Sequence, residues 1–298
     1  MISAELVIVQ GDTSSALGGA LAAELGGVAV GHVEAGLRSH DRRRPWPEEE
    51  FRIAIDSQAD LLFAPTELSV ANLRRERVHG RIFLAGNTGI DAALLTARSS
   101  RANSRPSGPP RMLVTCHRRE SWGAGLISIA DALRRLAREN VAKIDLILHP
   151  NPAVAAQMRL LLGGEPGVQL HNPCSHSDLV RRMLNSELVL SDSGGIQEEA
   201  AALGIPLLVL RERTERPEAI ATGCLTLAGL NTIAIVNAVR TALSRDVLYS
   251  RRCPYGDGNA APRIAAIILE WLTERRLDRT PLQNMDRTES SGEKRLAT

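Results

Sequence analysis

Short apolar runs alternate with stretches in which apolar residues recur at every third or fourth position, and the alternation persists along most of the chain. The runs read as strands at Leu6–Val9, Val28–Val33, Leu61–Ala64 and Ile82–Leu84, and the periodic stretches read as helices over 14–25, 47–58 and 67–77. Residues 98–110, RSSRANSRPSGPP, break the rhythm. Their Ser, Pro and Arg content is that of a linker. A second series follows, with strands at Met112–Thr115, Ile144–Leu148, Val168–Leu170, Leu188–Ser191 and Leu207–Leu210 and helices over 124–138, 153–162, 176–184 and 195–203. A strand-like Cys224–Leu227 and helices over 231–243 and 260–274 complete it, and residues 275–298 are polar and unpatterned, the composition of a disordered tail.

Strands alternating with helices specify an α/β fold with mainly parallel sheets. The expected organisation is a first Rossmann-like domain over 1–97, the linker, a second over 111–257 and a C-terminal helix over 258–274. Two such domains place a cleft between them, facing the carboxyl ends of both sheets.

Composition narrows the function by exclusion. The chain has 298 residues, a net charge of +2 and 3% aromatics, so the core is mostly aliphatic. No basic block interleaved with aromatics points to nucleic acid. No stretch approaches the roughly 18 uncharged apolar residues of a membrane span, and no secretory leader pattern opens the chain. The four cysteines, Cys116, Cys174, Cys224 and Cys253, lie far apart without a CxxC pair, which suits reduced thiols. A cytoplasmic location is the expectation.

Residues that carry chemistry gather just after strands. Asp192-Ser193-Gly194-Gly195-Ile196-Gln197-Glu198-Glu199 sits at a strand-to-helix turn. Ser-Gly-Gly there lets backbone N–H groups approach an anion where the helix dipole favours it. Two carboxylates one turn later suit sugar hydroxyls, and the pair of features suggests a nucleotide with a diphosphate and a ribose. Gly11-Asp12-Thr13 ends the first strand, where Asp12 or Thr13 equally suits an N-cap. Glu34 follows the next strand among small residues that packing does not explain. Glu48 and Arg52 share a helix face at i, i+4, the spacing of an ion pair. His117-Arg118-Arg119-Glu120 offers three cations to a diphosphate or a leaving oxygen. His149 in His-Pro-Asn-Pro and Arg216 in Thr-Glu-Arg-Pro-Glu follow strands again. No Walker A loop, G-x-G-x-x-G, H-E-x-x-H or Ser-His-Asp set is present, which weighs against kinase, dehydrogenase, metalloprotease and hydrolase readings.

Taken together, GDT, HVEAGLR, PWPEEEFR, APTE, GNTGIDA, HRRE, HPNP, DSGGIQEEA, LRERTERPEA and YGDGNA resemble, in this order, the non-hydrolysing UDP-N-acetylglucosamine 2-epimerases. The resemblance runs from residue 5 to about 270 and implies a glycosyltransferase-B-like pair of domains, a homodimer and no metal or other cofactor. It implies reversible conversion of UDP-GlcNAc to UDP-ManNAc for cell-envelope polysaccharides, by anti elimination of UDP to 2-acetamidoglucal and re-addition. Asp12, Glu34 and Glu48 then serve acid/base work or charge stabilisation around C1–C3, with Arg52 and His117 near the leaving diphosphate. Ser193, Gly194 and Gly195 hold phosphate, Glu199 the ribose, and His149 and Arg216 further parts of the nucleotide. Which carboxylate is acid and which base stays open.

The chain also departs from that family. The GTRPE-type loop and lysine-bearing helix that open it have no match here, so the resemblance implies a first domain lacking about half of its Rossmann-like fold. Phe51 stands where Asn is common, and Ser121-Trp122 follows His117-Arg118-Arg119-Glu120 where Asn is usual. Three readings follow: the epimerase; another enzyme on the same scaffold, a hydrolysing epimerase or a UDP-sugar glycosyltransferase; and an inactive UDP-binding remnant.

Overall fold

Parallel strands covered by helices on both faces are apolar at successive positions, and that is what the runs become. The computed structural model describes residues 4–43, 45–100, 108–116, 122–214, 216–221, 223–244 and 253–278. Four strands, β1 (Leu6–Gln10), β2 (Ala29–Val33), β3 (Leu61–Ala64) and β4 (Arg81–Leu84), are linked by α1 (Ser14–Leu25), α2 (Glu48–Gln58) and α3 (Glu67–Glu76), and α4 (Thr88–Ser99) follows. Six more strands are β5 (Arg111–Thr115), β6 (Lys143–Ile147), β7 (Val168–His171), β8 (Leu188–Ser191), β9 (Leu207–Val209) and β10 (Leu225–Leu227). With them run α5 (Ala124–Arg138), α6 (Pro152–Leu162), α7 (His176–Leu184), α8 (Gly194–Leu203), the short α9 (Glu218–Ala221), α10 (Thr232–Ser244) and α11 (Ala260–Asp278).

The first sheet has the order β1-β2-β3-β4 and the second β10-β9-β8-β5-β6-β7. All the strand pairs are parallel. In the second sheet the chain order reverses at β5, which lies between β8 and β6. Such a switch point opens a crevice at the carboxyl ends of its strands, where ligands bind in folds of this kind.

Alternation within each strand splits the core in two. In β3, Leu62 and Ala64 meet α1, α2 and α3 through Ala20, Ile55 and Leu73. Leu61 and Phe63 face the other way, onto Ile264 and Trp271 of α11. The second sheet repeats the arrangement. Met112 and Val114 pack on Leu126, Ile129 and Leu133 of α5 with Met158 and Val236. Leu113 and Val189 pack on Ile90 of α4, Met183 and Ile196. Each fully buried aliphatic side chain contributes about 1.5–3 kcal/mol of transfer free energy.

Two helices therefore cross over. α4 leaves the first sheet and covers the second, and α11 leaves the second series and covers the first. The connecting segments meet where Asn87 N–H donates to the Tyr255 carbonyl at 2.8 Å. Gly86 and Gly256 face each other there with φ of +86° and +129°, and a Cβ on either lands 3.3 Å from the other's Cα. Only glycine combines that backbone with that approach.

Two boundaries differ from expectation, and α4 and the short α9 were not among the expected helices. Arg98 and Ser99 end α4 and are not linker, and residues 275–278 continue α11 where an unpatterned tail was expected. The pattern of α4 is present in the sequence: Ile90, Ala93, Leu94 and Ala97 stand at i, i+3, i+4 and i+7. Its start is marked by Asn87, the N-cap, whose side chain accepts from Gly89 N–H at 2.8 Å.

Candidate active site

On the first sheet, Thr13 caps α1 by accepting from Ala16 N–H at 3.1 Å, which leaves Asp12 for another task. Asp12 accepts from Arg52 Nε at 2.8 Å. Arg52 Nη1 donates at 2.9 Å to Glu49, which is buried and also accepts from the backbone of Ser39 and His40. The i, i+4 pairing of Glu48 with Arg52 is thus replaced by an i, i+3 pairing with Glu49. Glu48 instead carries a buried carboxylate oxygen with no hydrogen-bond partner among the described residues. Glu34 closes β2 with φ of 74°. A side-chain-bearing residue in that region costs about 1–2 kcal/mol, and such strain gathers at functional sites.

On the second sheet, Thr115 and Ser191 hydroxyls meet at 2.7 Å across the β5–β8 switch point, and Ser191 Oγ accepts from Ser193 N–H at 3.0 Å. The turn so formed presents Ser193 as the N-cap of α8 without a side-chain capping bond. The first-turn amides of Gly194 and Gly195 lie at a helix end, where N–H groups lack intrahelical partners. Gly195 is exposed, with nothing within 4 Å of a Cβ built on it. Gly194 is buried against the Arg216 guanidinium, which a side chain at 194 would strike. Arg216 thereby crosses the helix N-terminus.

Arg216 also joins the two sheets. It donates to Glu198 of α8 and, at 3.2 Å, to Glu34. Glu198 accepts further from Asn87, and Thr66 donates to Glu218 at 2.7 Å beside them. Burial pushes Glu34 up from 4.5 to about 7, reinforced by the Glu198 and Asp12 carboxylates against the opposing pull of Arg216 and Arg52. Burial likewise raises Glu198, opposed by Arg216, and raises Glu199, opposed by His176. Asp12, Glu34, Arg52 and Arg216 thus form one electrostatic unit.

Other candidate residues have partners of their own. Glu199 pairs with His176 Nε2 at 2.9 Å, and its second oxygen is buried without a hydrogen-bond partner among the described residues. His149 Nδ1 accepts from Asn151 N–H at 2.8 Å and its ring meets the edge of Trp122 at 6.1 Å. His117 lies outside the described residues.

With this geometry in view, the sequence profile of the UDP-N-acetylglucosamine 2-epimerases matches residues 2–269. The chain belongs to this family. It is 42% identical over 278 residues to the UDP-N-acetylglucosamine 2-epimerase of Escherichia coli K12, spanning 87% of this chain and 74% of that protein. The UDP-GlcNAc 2-epimerase of Neisseria meningitidis, solved with UDP-GlcNAc bound, superposes with a TM-score of 0.83 at 35% identity over 89% of this chain and 76% of that one. The Methanocaldococcus jannaschii UDP-GlcNAc 2-epimerase, solved with UDP-GlcNAc and UDP, gives 0.79 at 33% identity over 89% and 76%. The chain is accordingly an epimerase-family α/β protein with the family's pair of Rossmann-like units. Among the described residues no cluster of His, Cys, Asp or Glu is arranged to hold a metal, and no helix is long and apolar enough to cross a membrane.

Sequence reasoning passed over three polar residues here, Glu49, Asn87 and Glu218, and read Glu198 for sugar hydroxyls where the structure pairs it with Arg216 and Asn87. A signal existed for the three. Glu49 lies at i, i+3 from Arg52, and Asn87 and Glu218 belong to GNTGIDA and TERPEA.

Proposed function

We propose that this chain interconverts UDP-N-acetylglucosamine and UDP-N-acetylmannosamine by inverting C2 of the sugar. One observation carries the reading: Glu34, held in a left-handed backbone, bridges to Arg216 at 3.2 Å, where burial pushes its carboxyl up to about 7. A carboxyl poised near neutrality gives and takes protons at little cost, the requirement of a reversible acid/base step. Its arginine partner lies across a helix N-terminus suited to a diphosphate.

C2 is not alpha to a carbonyl, so enolisation is not open to it. Elimination is. A carboxylate takes the C2 proton while the C1–O bond to the diphosphate breaks. The C–H electron pair becomes the C1=C2 bond of 2-acetamidoglucal, and the C–O pair leaves with UDP. On return, a proton reaches the opposite face of C2 and a diphosphate oxygen forms the new C1–O bond. Asp12, Glu34 and Glu48 are the groups for these transfers and for charge developing around C1. Arg52, committed to Asp12 and Glu49, acts on the diphosphate through its charge. Ser193, Gly194, Gly195 and Arg216 hold that diphosphate, Glu199 meets the ribose, and His149 and His117 contact the nucleotide. The same reading makes the protein a cytoplasmic homodimer that supplies cell-envelope polysaccharide synthesis, and light scattering tests the dimer.

The deciding experiment is proton NMR of UDP-GlcNAc with the purified chain in D2O. UDP-ManNAc bearing deuterium at C2 is expected. UDP with free ManNAc would make the enzyme a hydrolysing one, and unchanged substrate beside folded protein would leave only a nucleotide-binding role.

A further inference from the structure

The inner face of α2 carries Glu49, Arg52 and Asp56 at i, i+3 and i+7, and all three are buried. Burying charge is costly unless each group is paired, and each is paired to a loop at the carboxyl edge of the first sheet. Arg52 takes Asp12, and Glu49 takes the backbone of Ser39 and His40. Asp56 takes the most. Its Oδ1 meets His32 Nδ1 at 2.6 Å, and its Oδ2 accepts from Gly36 N–H at 3.0 Å and from Arg38 at 2.8 Å. His32 Nε2 in turn meets the Gly11 carbonyl at 3.0 Å. Both ring nitrogens face oxygen atoms. His32 and Asp56 are fully enclosed and touch no open surface.

Gly11 is the residue before Asp12, and Gly36 is the second after Glu34. A single hydrogen-bonded chain therefore runs from the Gly11 carbonyl through His32 and Asp56 to the Gly36 amide. Its two ends fix the loops that bear the two acidic groups. We propose that His32 and Asp56 form a positioning pair that sets the separation of Asp12 and Glu34, acting on the reaction only through them. The idea rests on the catalytic reading of Asp12 and Glu34 given above. Misplacing a reacting group by about 1 Å costs about 10²-fold in rate, whereas the diphosphate contacts of the second sheet are untouched by this chain of bonds.

His32→Gln keeps its N–H donors on a single nitrogen and so cannot reach Asp56 and the Gly11 carbonyl from two nitrogens, and Asp56→Asn keeps the shape and an acceptor while removing the charge. The two variants are compared with Ile264→Ala, a core truncation on the opposite face of the same sheet. Each is measured for kcat, KM, UDP affinity, melting temperature and crystal structure. For a positioning pair, at least one of the two folds and loses about 10²-fold in kcat, with KM and UDP affinity within about twofold. Its crystal structure shows the Gly11–Asp12 segment moved by about 1 Å. Ile264→Ala lowers the melting temperature and leaves kcat alone. An unmoved Asp12, an unchanged kcat, or a kcat loss equal to that of Ile264→Ala overturns the proposal. If the unaltered chain does not epimerise, the catalytic reading fails on its own. The displacement of Asp12 then decides the positioning role alone.

Discussion

Two buried charge clusters lie a few residues apart and are built from the same materials. In one, Asp56 is met by His32, Arg38 and the Gly36 amide, and Arg38 extends to Glu76 at 2.6 Å. Donors are plentiful and every member comes from the first sheet and its helices. In the other, Glu34 and Glu198 share Arg216, and the three come from both sheets. The difference lies in how many donors meet each carboxyl and in where they come from. A carboxylate met by donors on both oxygens within one unit braces loops. Two carboxyls that share one guanidinium across two units leave Glu34 pushed up to about 7, by burial first and by the Glu198 charge second.

The sharpest way to break the comparison is to remove its shared cation. Arg216→Met strands Glu198 in the interior and is expected to cost about 3–5 kcal/mol in urea unfolding, together with UDP affinity. Both carboxyls are then pushed further above their unfolded values. Their favourable contribution is complete below pH 4.5 and is lost as pH rises through the raised values. The deficit of the variant must therefore be larger at pH 8 than at pH 5, and a deficit independent of pH would sink the account.

Glu34→Gln tests the reactive side alone. A loss of about 10²–10⁴-fold in kcat is expected for a group that moves protons, with UDP binding retained. In the parent chain, the stability that Glu34 gains from holding its proton is present below pH 4.5 and lost through about pH 7. Glutamine does not ionise, so the variant should gain on the parent between pH 5 and pH 8 when the two are unfolded in parallel. The smallest effect belongs to an ion pair outside both clusters. Glu274→Ala removes the exposed partner of Arg81, and unfolding free energy should move by no more than about 0.5 kcal/mol.

Much of this was readable from the chain, for definable reasons. Strands and helices follow local periodicity, so Leu61–Ala64 and Leu188–Ser191 were found to the residue. Asp12 and Ser193 were legible as residues at a sheet edge, because a polar residue after an apolar run stands there. Partner choice was not readable. Neighbouring carboxylates on a helix point about 100° apart, and only the packed helix decides between Glu48 and Glu49 or between Glu198 and Glu199. The pairing of Glu34 with Arg216 spans 182 residues, and no local pattern announces a contact of that kind. The His32–Asp56 bridge was hidden likewise, since both side chains look like ordinary interior polar residues until their partners are seen.

The exchange of α4 and α11 makes each half of the gene encode part of the other half's shelter. A polypeptide ending near Ser100 would carry the four-stranded sheet without Ile264 and Trp271 to cover Leu61 and Phe63, and with the apolar side of α4 bared. The remainder would carry a naked α11. Each sheet thus keeps its cover only when the crossing helix from the other half accompanies it.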